Sequence, residues 1–531
     1  MIEKVLEGWL DSATERSFQI PFAHLLSNQG YRVLHITHHC GLEMGKDIIA
    51  VDSNGIPCAF QLKTAENGKF SLQTWRRINN QIRDLVYLKI NHPSIGNYNQ
   101  SHRSILVTNG FIKEDATRAI NDFNATLLTD RKRPLETIVK GDILKLAKET
   151  YPLVFPSELR DFKSLLEFFL EDGTSYLPKG KLANLLESLL YLNDLNSKFS
   201  NKELGRKIAS AALITSISLT QFSKELNWIA EIEGWTIYLA YLCAVAQRWK
   251  LKEKLWKSQF ELAETAIFNS MTNLLEELKG RTNLIEGEPL SDALFYRVRV
   301  TYLVALMSIL GIWQKFNSDN VDCEFISDFV LKYRTKMLLW GEGAIPQILA
   351  FYWYYRKIDA TSKPDFLLAE LIEDITTSNN PKSKIESLAP PYYQTQEIIL
   401  HKLGIKKFED IFKGRSFFLK GLIYLFTRKN WKQKMKILWP NATYIMFEEF
   451  IPKENWQFYL WRTSNGVHKA EIPRRTENWK DLKKRAFQIE DDILPQLLVN
   501  YPHLLLLFIC VYPHRVNPSI LKCLDDKLMN T

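Results

Sequence analysis

Alternating helix and strand patterns fill the first part of the chain. Apolar positions between Phe18 and Leu26 follow helical spacing, Gly30 predicts the end of that helix, and Pro21 predicts a kink or a later start. The predicted strands are 31–39, 47–52, 58–64 and 104–108, with a short one at 135–139, and the later helices are 74–90 and 113–128. Strands that alternate with helices predict an α/β domain over residues 1–150.

The remainder of the chain is helical in period and rich in aromatic residues and leucine. Pro152 and Pro156 mark its start, and a polar, proline-containing loop at 376–394 divides it. We therefore expect a helical domain over 151–380 and a C-terminal helical lobe over 381–531. No fixed repeat is visible, so an irregular helical array and an α-solenoid both remain open.

One segment breaks the helical pattern of the C-terminal lobe. Asn465-Gly466 lies between flanks that are rich in β-forming residues. An Asn-Gly pair in that setting is typical of a tight turn between antiparallel strands. The pattern predicts a β-hairpin near 456–472.

Charge adds an uneven distribution to this picture. The chain of 531 residues carries a formal net charge of +9, with 46% hydrophobic and 24% charged residues, as expected for a globular protein. From Lys402 to Lys436 there are eleven Lys/Arg and two acidic residues, whereas residues 1–150 have 19 basic and 16 acidic residues. The basic stretch predicts either a contact with nucleic acid or a solvated helix face.

Cysteine usage and hydropathy indicate the compartment. The six cysteines form no CxxC pair, which fits a reducing cytoplasm. The first residues lack the apolar core of a signal peptide. The most apolar run, Leu504 to Tyr512, is too short to span a bilayer and predicts a buried helix instead. We expect a cytoplasmic protein that does not contact a membrane.

The most informative motif joins two of the predicted strands. Asp47 opens one strand, and Gln61-Leu62-Lys63 lies in the next, fourteen residues later. A carboxylate and a second oxygen ligand suit a hard cation such as Mg²⁺, and a neighbouring lysine can orient water or stabilise charge on a phosphate. This combination is what hydrolysis of a phosphodiester requires.

The motif works only if the three side chains share one face of the sheet. Gln61 and Lys63 do so because they are two residues apart in a strand. A two-residue turn would place Asp47 opposite Leu62, on the wrong face. A three-residue loop, Ser53-Asn54-Gly55, places Asp47 opposite Gln61 and suits glycine in the left-handed conformation. We therefore predict this loop, or an equivalent one-residue bulge.

This arrangement resembles the PD-(D/E)xK superfamily of restriction-endonuclease-like nucleases, and more narrowly its Mrr-like branch, in which QxK replaces (D/E)xK. The helix that ends at Gly30-Tyr31, the approach Glu43-Met44-Gly45-Lys46-Asp47 and the later strand-helix unit beginning with Ser104 to Gly110 also match. The resemblance covers roughly residues 12–148. It implies an α/β restriction-endonuclease-like fold for this part of the chain.

The resemblance also implies roles for individual residues. It makes Asp47 a metal ligand, the Gln61 side-chain oxygen a second ligand and Lys63 the catalytic lysine, with Mg²⁺ or Mn²⁺ as cofactor. The superfamily often adds a glutamate from the first helix, and Glu15 is the candidate here, although Gln19 occupies the spacing expected for it. Because Gln61 is neutral, metal binding would depend more on Glu15 or on Glu43.

The expected function is that of a metal-dependent DNA endonuclease, an effector of a bacterial anti-phage defence or restriction system. The helical region would sense a trigger, bind a partner protein of that system or form a homo-oligomer, by analogy with other members of the family. Two alternatives stay open. The chain could be a catalytically silent nucleic-acid-binding or scaffold subunit, or its nuclease could act on RNA or on branched DNA.

Overall fold

The protein forms two compact units, residues 1–270 and 271–531. The computed structural model describes residues 2–36, 46–65, 68–90, 95, 101–150, 165–168, 170–190, 192, 199–281, 294–317, 321–359, 363–408, 412–462, 467–489 and 494–529. Glu43, the two prolines at 152 and 156, and Asn465-Gly466 lie outside these ranges.

The first unit begins with a mixed α/β region, as the sequence predicts. Its helices are α1 (Ile2–Ser12), α2 (Glu15–Asn28), α3 (Leu72–Tyr87), α4 (Glu114–Thr129) and α5 (Lys140–Thr150). Its strands are β1 (Arg32–Ile36), β2 (Ile48–Val51), β3 (Pro57–Lys63), β4 (Lys69–Phe70), β5 (Arg103–Thr108), β6 (Phe111–Ile112) and β7 (Glu136–Ile138). α2 starts before Pro21 and continues through it, so the later start is wrong.

Five of these strands form one sheet in the order β1-β2-β3-β5-β7. β2 runs antiparallel to β1 and β3, whereas β3, β5 and β7 are parallel. β3 is central, and every residue from Pro57 to Leu62 is buried. A strand covered on both faces needs this nearly continuous apolar run. The short strands β4 and β6, which the sequence does not predict, pair separately.

Helices cover both faces of the sheet. On one face, Ile49, Ala59 and Leu106 join a buried apolar cluster with residues of α3 and α4. On the other face, the Phe60 ring meets the Phe22 ring of α2 edge-on, with centroids 5.9 Å apart. Because side chains alternate along a strand, β3 contributes residues to two cores, one on each face of the sheet.

The parallel strands end where the chain is tightly packed. Gly110 follows β5, and a Cβ atom there would lie 2.3 Å from the Cβ of Ala65 and 2.6 Å from the carbonyl oxygen of Gly68. Only glycine avoids these overlaps, because 3.0 Å is already closer than real Cβ contacts come. Gly110 therefore allows the segments after β3 and β5 to approach closely at this edge.

A group of helices completes the first unit. They are α6 (Lys179–Leu189), α7 (Asn201–Lys224), α8 (Trp228–Arg248) and α9 (Lys257–Gly280), the last of which crosses the division between the units. α7 begins with a capping box between Ser200 and Glu203. Because α2 packs along α7, the α/β region and these helices form one unit. This compact unit extends past residue 150, where the sequence predicts a domain boundary. That boundary stays a prediction.

His24 lies where α2 meets the added helices. It is 1% exposed, and neither ring nitrogen has a hydrogen-bond partner among the described residues. Its ring stacks on Trp235 at 6.1 Å, and Tyr238 meets it edge-on at 5.8 Å. Burial lowers the pKa of His24 from 6.5 to about 3. The side chain is therefore packed as a neutral aromatic group at neutral pH.

The second unit is mainly helical. Its helices after α9 are α10 (Leu294–Asn317), α11 (Cys323–Tyr333), α12 (Ile345–Ile358), α13 (Lys363–Ser378), α14 (Thr395–Lys402), α15 (Leu419–Arg428), α16 (Lys432–Ala442), α17 (Trp479–Phe487), α18 (Gln496–Val499), α19 (Pro502–Val511) and α20 (Pro518–Met529). Every residue of α19 is buried, which confirms the buried helix expected from its apolar sequence. The expected loop lies between α13 and α14.

The expected hairpin is only half correct. A small sheet contains β8 (Arg415–Ser416), β9 (Met446–Ile451) and β10 (Val467–Glu471), and β9 pairs antiparallel with β10. The first strand thus lies before residue 456, and Asn455–Tyr459 forms a 3-10 helix. Trp456, Phe458 and Tyr459 are β-forming residues, but here they are buried in that turn of helix.

Within the part of the chain that the structure describes, acidic residues pair with just over half of the cations in the basic stretch from Lys402 to Lys436. Six of its side chains form ion pairs. The pairs are Lys402–Glu386, Lys406–Glu397, Arg415–Glu448, Lys420–Glu449, Arg428–Asp525 and Lys429–Asp525. Glu386 and Glu397 lie shortly before the stretch in the sequence, whereas Asp525 lies near the end of the chain. The pairing favours a structural role for much of the stretch over a continuous surface for nucleic acid.

Among the residues that the structure describes, two helices, Trp228–Arg248 and Leu294–Gln314, are long and apolar enough to cross a membrane by length and composition. The apolar 18-residue window of the first is 94% buried inside the protein, and that of the second is 72% buried. Burial of this extent is typical of the core helices of a folded unit. The expectation that the chain does not enter a membrane stays a prediction.

Gly110→Ala should destabilise the first unit by about 1–3 kcal/mol, because the added methyl group overlaps Ala65 and the backbone of Gly68. Urea denaturation would measure the change. Gly141→Ala is the matched control, since nothing lies within 4 Å of a Cβ at that helical position. Equal stability of the two variants would contradict the close packing at this edge.

His24→Leu should make the first unit less sensitive to acid. The pKa of His24 in the folded protein lies below the ordinary value of 6.5. The protein therefore has its full free energy of unfolding above pH 6.5, and part of it is lost as the pH falls toward 3. The loss at pH 5 is about 2 kcal/mol. In wild type, the urea midpoint at pH 5 should be lower than at pH 7, and this difference should shrink in His24→Leu. His35 is exposed, so His35→Leu should retain the wild-type difference. An unchanged difference in His24→Leu would refute the buried neutral histidine.

Candidate functional site

The loop between β2 and β3 sets the register of the candidate site. The Asp52 N–H donates to the Ile56 carbonyl and the Gly55 N–H to the Asp52 carbonyl, each at 3.0 Å, and Gly55 has φ +78°. Val51 consequently pairs with Pro57 and Ile48 with Phe60. The predicted three-residue loop is confirmed, and the same register carries Asp47 opposite Gln61.

Asp47 and Gln61 are in direct contact. The Asp47 Oδ2 atom accepts hydrogen bonds from Gln61 Nε2 and from the Leu62 backbone N–H, both at 2.6 Å. Asp47 is 7% exposed and Gln61 is 3% exposed. The Gln61 Oε1 atom is buried and has no hydrogen-bond partner among the described residues. A buried oxygen without a partner is costly unless something outside these residues satisfies it.

Lys63 meets the first residue of α2. Its Nζ atom lies 3.1 Å from Glu15 Oε1 and 3.2 Å from Glu15 Oε2. The Lys63 side chain is 14% exposed and the Glu15 side chain is 32% exposed. The ion pair thus holds the ammonium group at the edge of the sheet while leaving the carboxylate accessible to solvent. The structure therefore places Glu15 against the lysine of the motif.

Gln19 links the two halves of the site. It lies one helical turn after Glu15, and its Nε2 atom donates to the backbone carbonyl oxygen of Asp47 at 3.0 Å. Gln19 is 6% exposed. This bond fixes α2 against the start of β2. We call Glu15, Asp47, Gln61 and Lys63 the site cluster, with Gln19 as the residue that positions it.

Sequence reasoning missed two buried polar residues beside this region. Asn109 Oδ1 accepts from the Ala65 N–H at 2.8 Å, while its Nδ2 donates to the Leu10 carbonyl at 2.7 Å. It thereby ties the segments after β3 and β5 to α1. Its position directly after a buried strand and before Gly110 was the available signal.

Lys46 is the second such residue and precedes Asp47. It is 3% exposed, and its Nζ donates to the backbone carbonyl of Asp84 at 3.4 Å. Burial lowers the pKa of Lys46 to about 8, although the charge of Asp84 opposes the shift. The ammonium group is therefore directed toward α3. Its adjacency to Asp47 in the sequence gave no signal of this contact.

The donor atoms of the site cluster can be compared with what a divalent cation needs. Asp47 offers a carboxylate and Gln61 an unpartnered amide oxygen, both of which suit Mg²⁺. Within the described residues, no three His, Cys, Asp or Glu side chains are grouped closely enough to hold a metal ion. A QxK site would not form such a group, because one of its ligands is an amide. The position of Glu43 relative to this site lies outside the described residues.

Comparison of the chain with protein-family models, with curated proteins and with solved structures gives no match. The chemistry of the site cluster is therefore the basis for any assignment of function.

Proposed function

We propose that the first unit is a Mg²⁺- or Mn²⁺-dependent endonuclease that cleaves DNA at the site cluster. One observation carries the proposal. The predicted register brings Asp47 within hydrogen-bonding distance of Gln61, and Lys63 reaches Glu15 of α2. Residues from three separate elements thus meet at one edge of the sheet, in the combination that the resemblance to PD-(D/E)xK nucleases implies.

Each residue has a defined part in this chemistry. Asp47 and Gln61 would hold the cation, with Glu15 or Glu43 as a further ligand. When bound, a divalent cation neutralises phosphate charge and lowers the pKa of a coordinated water. Lys63 is held by Glu15, and its ammonium group would contact a phosphate oxygen or the attacking water.

The order of elements also supports the proposal. Apart from the short strands β4 and β6, a helix, three strands, a helix, a strand and another helix follow each other as the resemblance implies, in α2, β1, β2, β3, α3, β5 and α4. A cytoplasmic effector of a defence or restriction system is the biological setting that this family analogy suggests. In such a setting the helices would control the nuclease through a trigger, a partner protein or a second copy of the chain.

A catalytically silent nucleic-acid-binding or scaffold subunit is the second candidate. The observation in its favour is that Asp47 Oδ2 is occupied by Gln61 Nε2 and the Leu62 N–H. That arrangement makes a self-contained hydrogen-bonded pair without a cation. Rotation of the Gln61 amide would replace the Nε2 donor with an oxygen, which would repel Asp47 unless a cation lay between them.

Asp47→Ala and Lys63→Ala should each abolish cleavage of plasmid DNA in Mg²⁺ or Mn²⁺, with a loss of at least about a hundredfold. Lys69→Ala, at an exposed position in β4, is the control that should retain activity. Nicking and linearisation on agarose gels would measure the rates. Cleavage that survives both substitutions would exclude the site cluster as the active site. The absence of cleavage by wild type and all variants would favour the catalytically silent subunit. RNA and branched DNA substrates test the remaining alternative.

Gln61→Glu should lower the Mg²⁺ concentration required for half-maximal cleavage, because a second carboxylate beside Asp47 attracts the cation more strongly. It should also lower the thermal midpoint in EDTA, since two carboxylates then repel at this position, and Mg²⁺ should restore it. Thermal melts and activity titrations measure both effects. Gln73→Glu, on the exposed face of α3, is the charge-matched control. A Mg²⁺ response equal to that of the control would exclude Gln61 as a ligand.

A further inference from the structure

A polar groove lies at the other end of α2 from the site cluster. It has a volume of about 450 Å³ and lies between the end of α2, the first turns of α7 and the start of α9. Its lining includes Ser27, Lys202, Arg206, Lys254, Ser258 and Gln259. We call it the basic groove, because its charged lining residues are all cationic.

No carboxylate of the described residues lies at ion-pair distance from the three cations of the basic groove. Lys202, Arg206 and Lys254 form no ion pair with the described residues, and both lysines are exposed. Two acidic side chains lie nearby in the sequence and are engaged mainly by other groups, although the charge of Arg206 also acts on Glu203. Glu203 Oε2 accepts from the Ser200 N–H and hydroxyl, both at 2.7 Å, and Glu253 pairs with Lys257 at 2.7 Å. Three cations that form no ion pair with the described residues border one groove, which points to a ligand that supplies negative charge.

The walls of the groove are held in place by their own hydrogen bonds. Gln259 Nε2 donates to Ser27 Oγ at 3.2 Å, and the hydroxyls of Ser27 and Ser258 lie 3.3 Å apart. These bonds connect α2 with α9 beside the groove. Lysine, arginine, serine, asparagine and glutamine are the side chains that contact phosphate and sugar groups in nucleic-acid complexes.

We propose that the basic groove binds the phosphate backbone of the polynucleotide that the site cluster cleaves. This rests on the proposed nuclease function. α2 carries Glu15 at its first turn and borders the groove with its last, and its 14 residues span about 20 Å at 1.5 Å per residue. That length corresponds to roughly six base pairs of duplex DNA. One duplex could therefore contact both ends of α2, whereas a single free nucleotide could not.

Binding of a labelled 30-base-pair duplex by the full chain, measured by fluorescence anisotropy in EDTA over a range of salt concentrations, tests the proposal without cleavage. The triple variant Lys202→Gln, Arg206→Gln, Lys254→Gln should bind more weakly. Its plot of log K against log salt should be shallower by about 0.9 for each phosphate that the protein no longer neutralises, or about 2.7 for three. The charge-matched control is Lys145→Gln, Lys224→Gln, Lys250→Gln, at exposed positions in the same unit, and it should keep the wild-type slope.

Equal slopes for the two triple variants would overturn the proposal, provided that thermal melts show both to be folded. So would a groove-dependent affinity for ATP or inorganic phosphate with unchanged duplex binding, because that would identify a small phosphorylated ligand. Failure of the nuclease is distinguishable. If duplex binding depends on the groove but no Mg²⁺-dependent cleavage occurs, only the proposed nuclease function is contradicted. If cleavage occurs but duplex binding does not depend on the groove, only the proposed role of the groove is contradicted.

Discussion

The register between β2 and β3 is the constraint on which the site depends. Side chains alternate along a strand, so a shift of one residue would turn Asp47 away from Gln61 and Lys63. The loop after Asp52 prevents that shift. Asp52 Oδ1 accepts from the N–H groups of Asn54 and Ile56, both at 2.9 Å, and the left-handed Gly55 closes the turn. A local turn thereby fixes the pairing of Asp47 with Gln61 at the far end of both strands.

The second constraint is the position of α2, which serves several parts of the first unit at once. Glu15 holds Lys63, Gln19 holds the backbone of Asp47, and Phe22 packs on Phe60 in the centre of the sheet. His24 faces the opposite way and packs against Trp235. One helix therefore contacts the sheet, the site cluster and the added helices.

The distribution of charge shows why proximity in sequence and proximity in space differ. In the densest basic stretch, Lys402 to Lys436, six of the eleven cations pair with carboxylates such as Glu386, Glu449 and Asp525. The cations of the basic groove form no ion pair among the described residues, and they come from two segments that no charge count would group. Electrostatic attraction for a polyanion depends on the charge that remains after the chain has folded.

Local patterns in the sequence determined much of the first unit. The strand-helix alternation, the three-residue loop and the shared face of Asp47, Gln61 and Lys63 all follow from residue periodicity and from a glycine that accepts a positive φ. These features depend on neighbours in the chain, so they can be read from it.

Only the tertiary structure decided which distant residues meet. It paired Glu15 with Lys63, assigned Gln19 to the Asp47 backbone, moved the first hairpin strand to Met446–Ile451 and united α2 with α7 in one unit. Each of these outcomes depends on how apolar faces from separate segments pack together, and a single helix or strand presents such a face to several partners equally well.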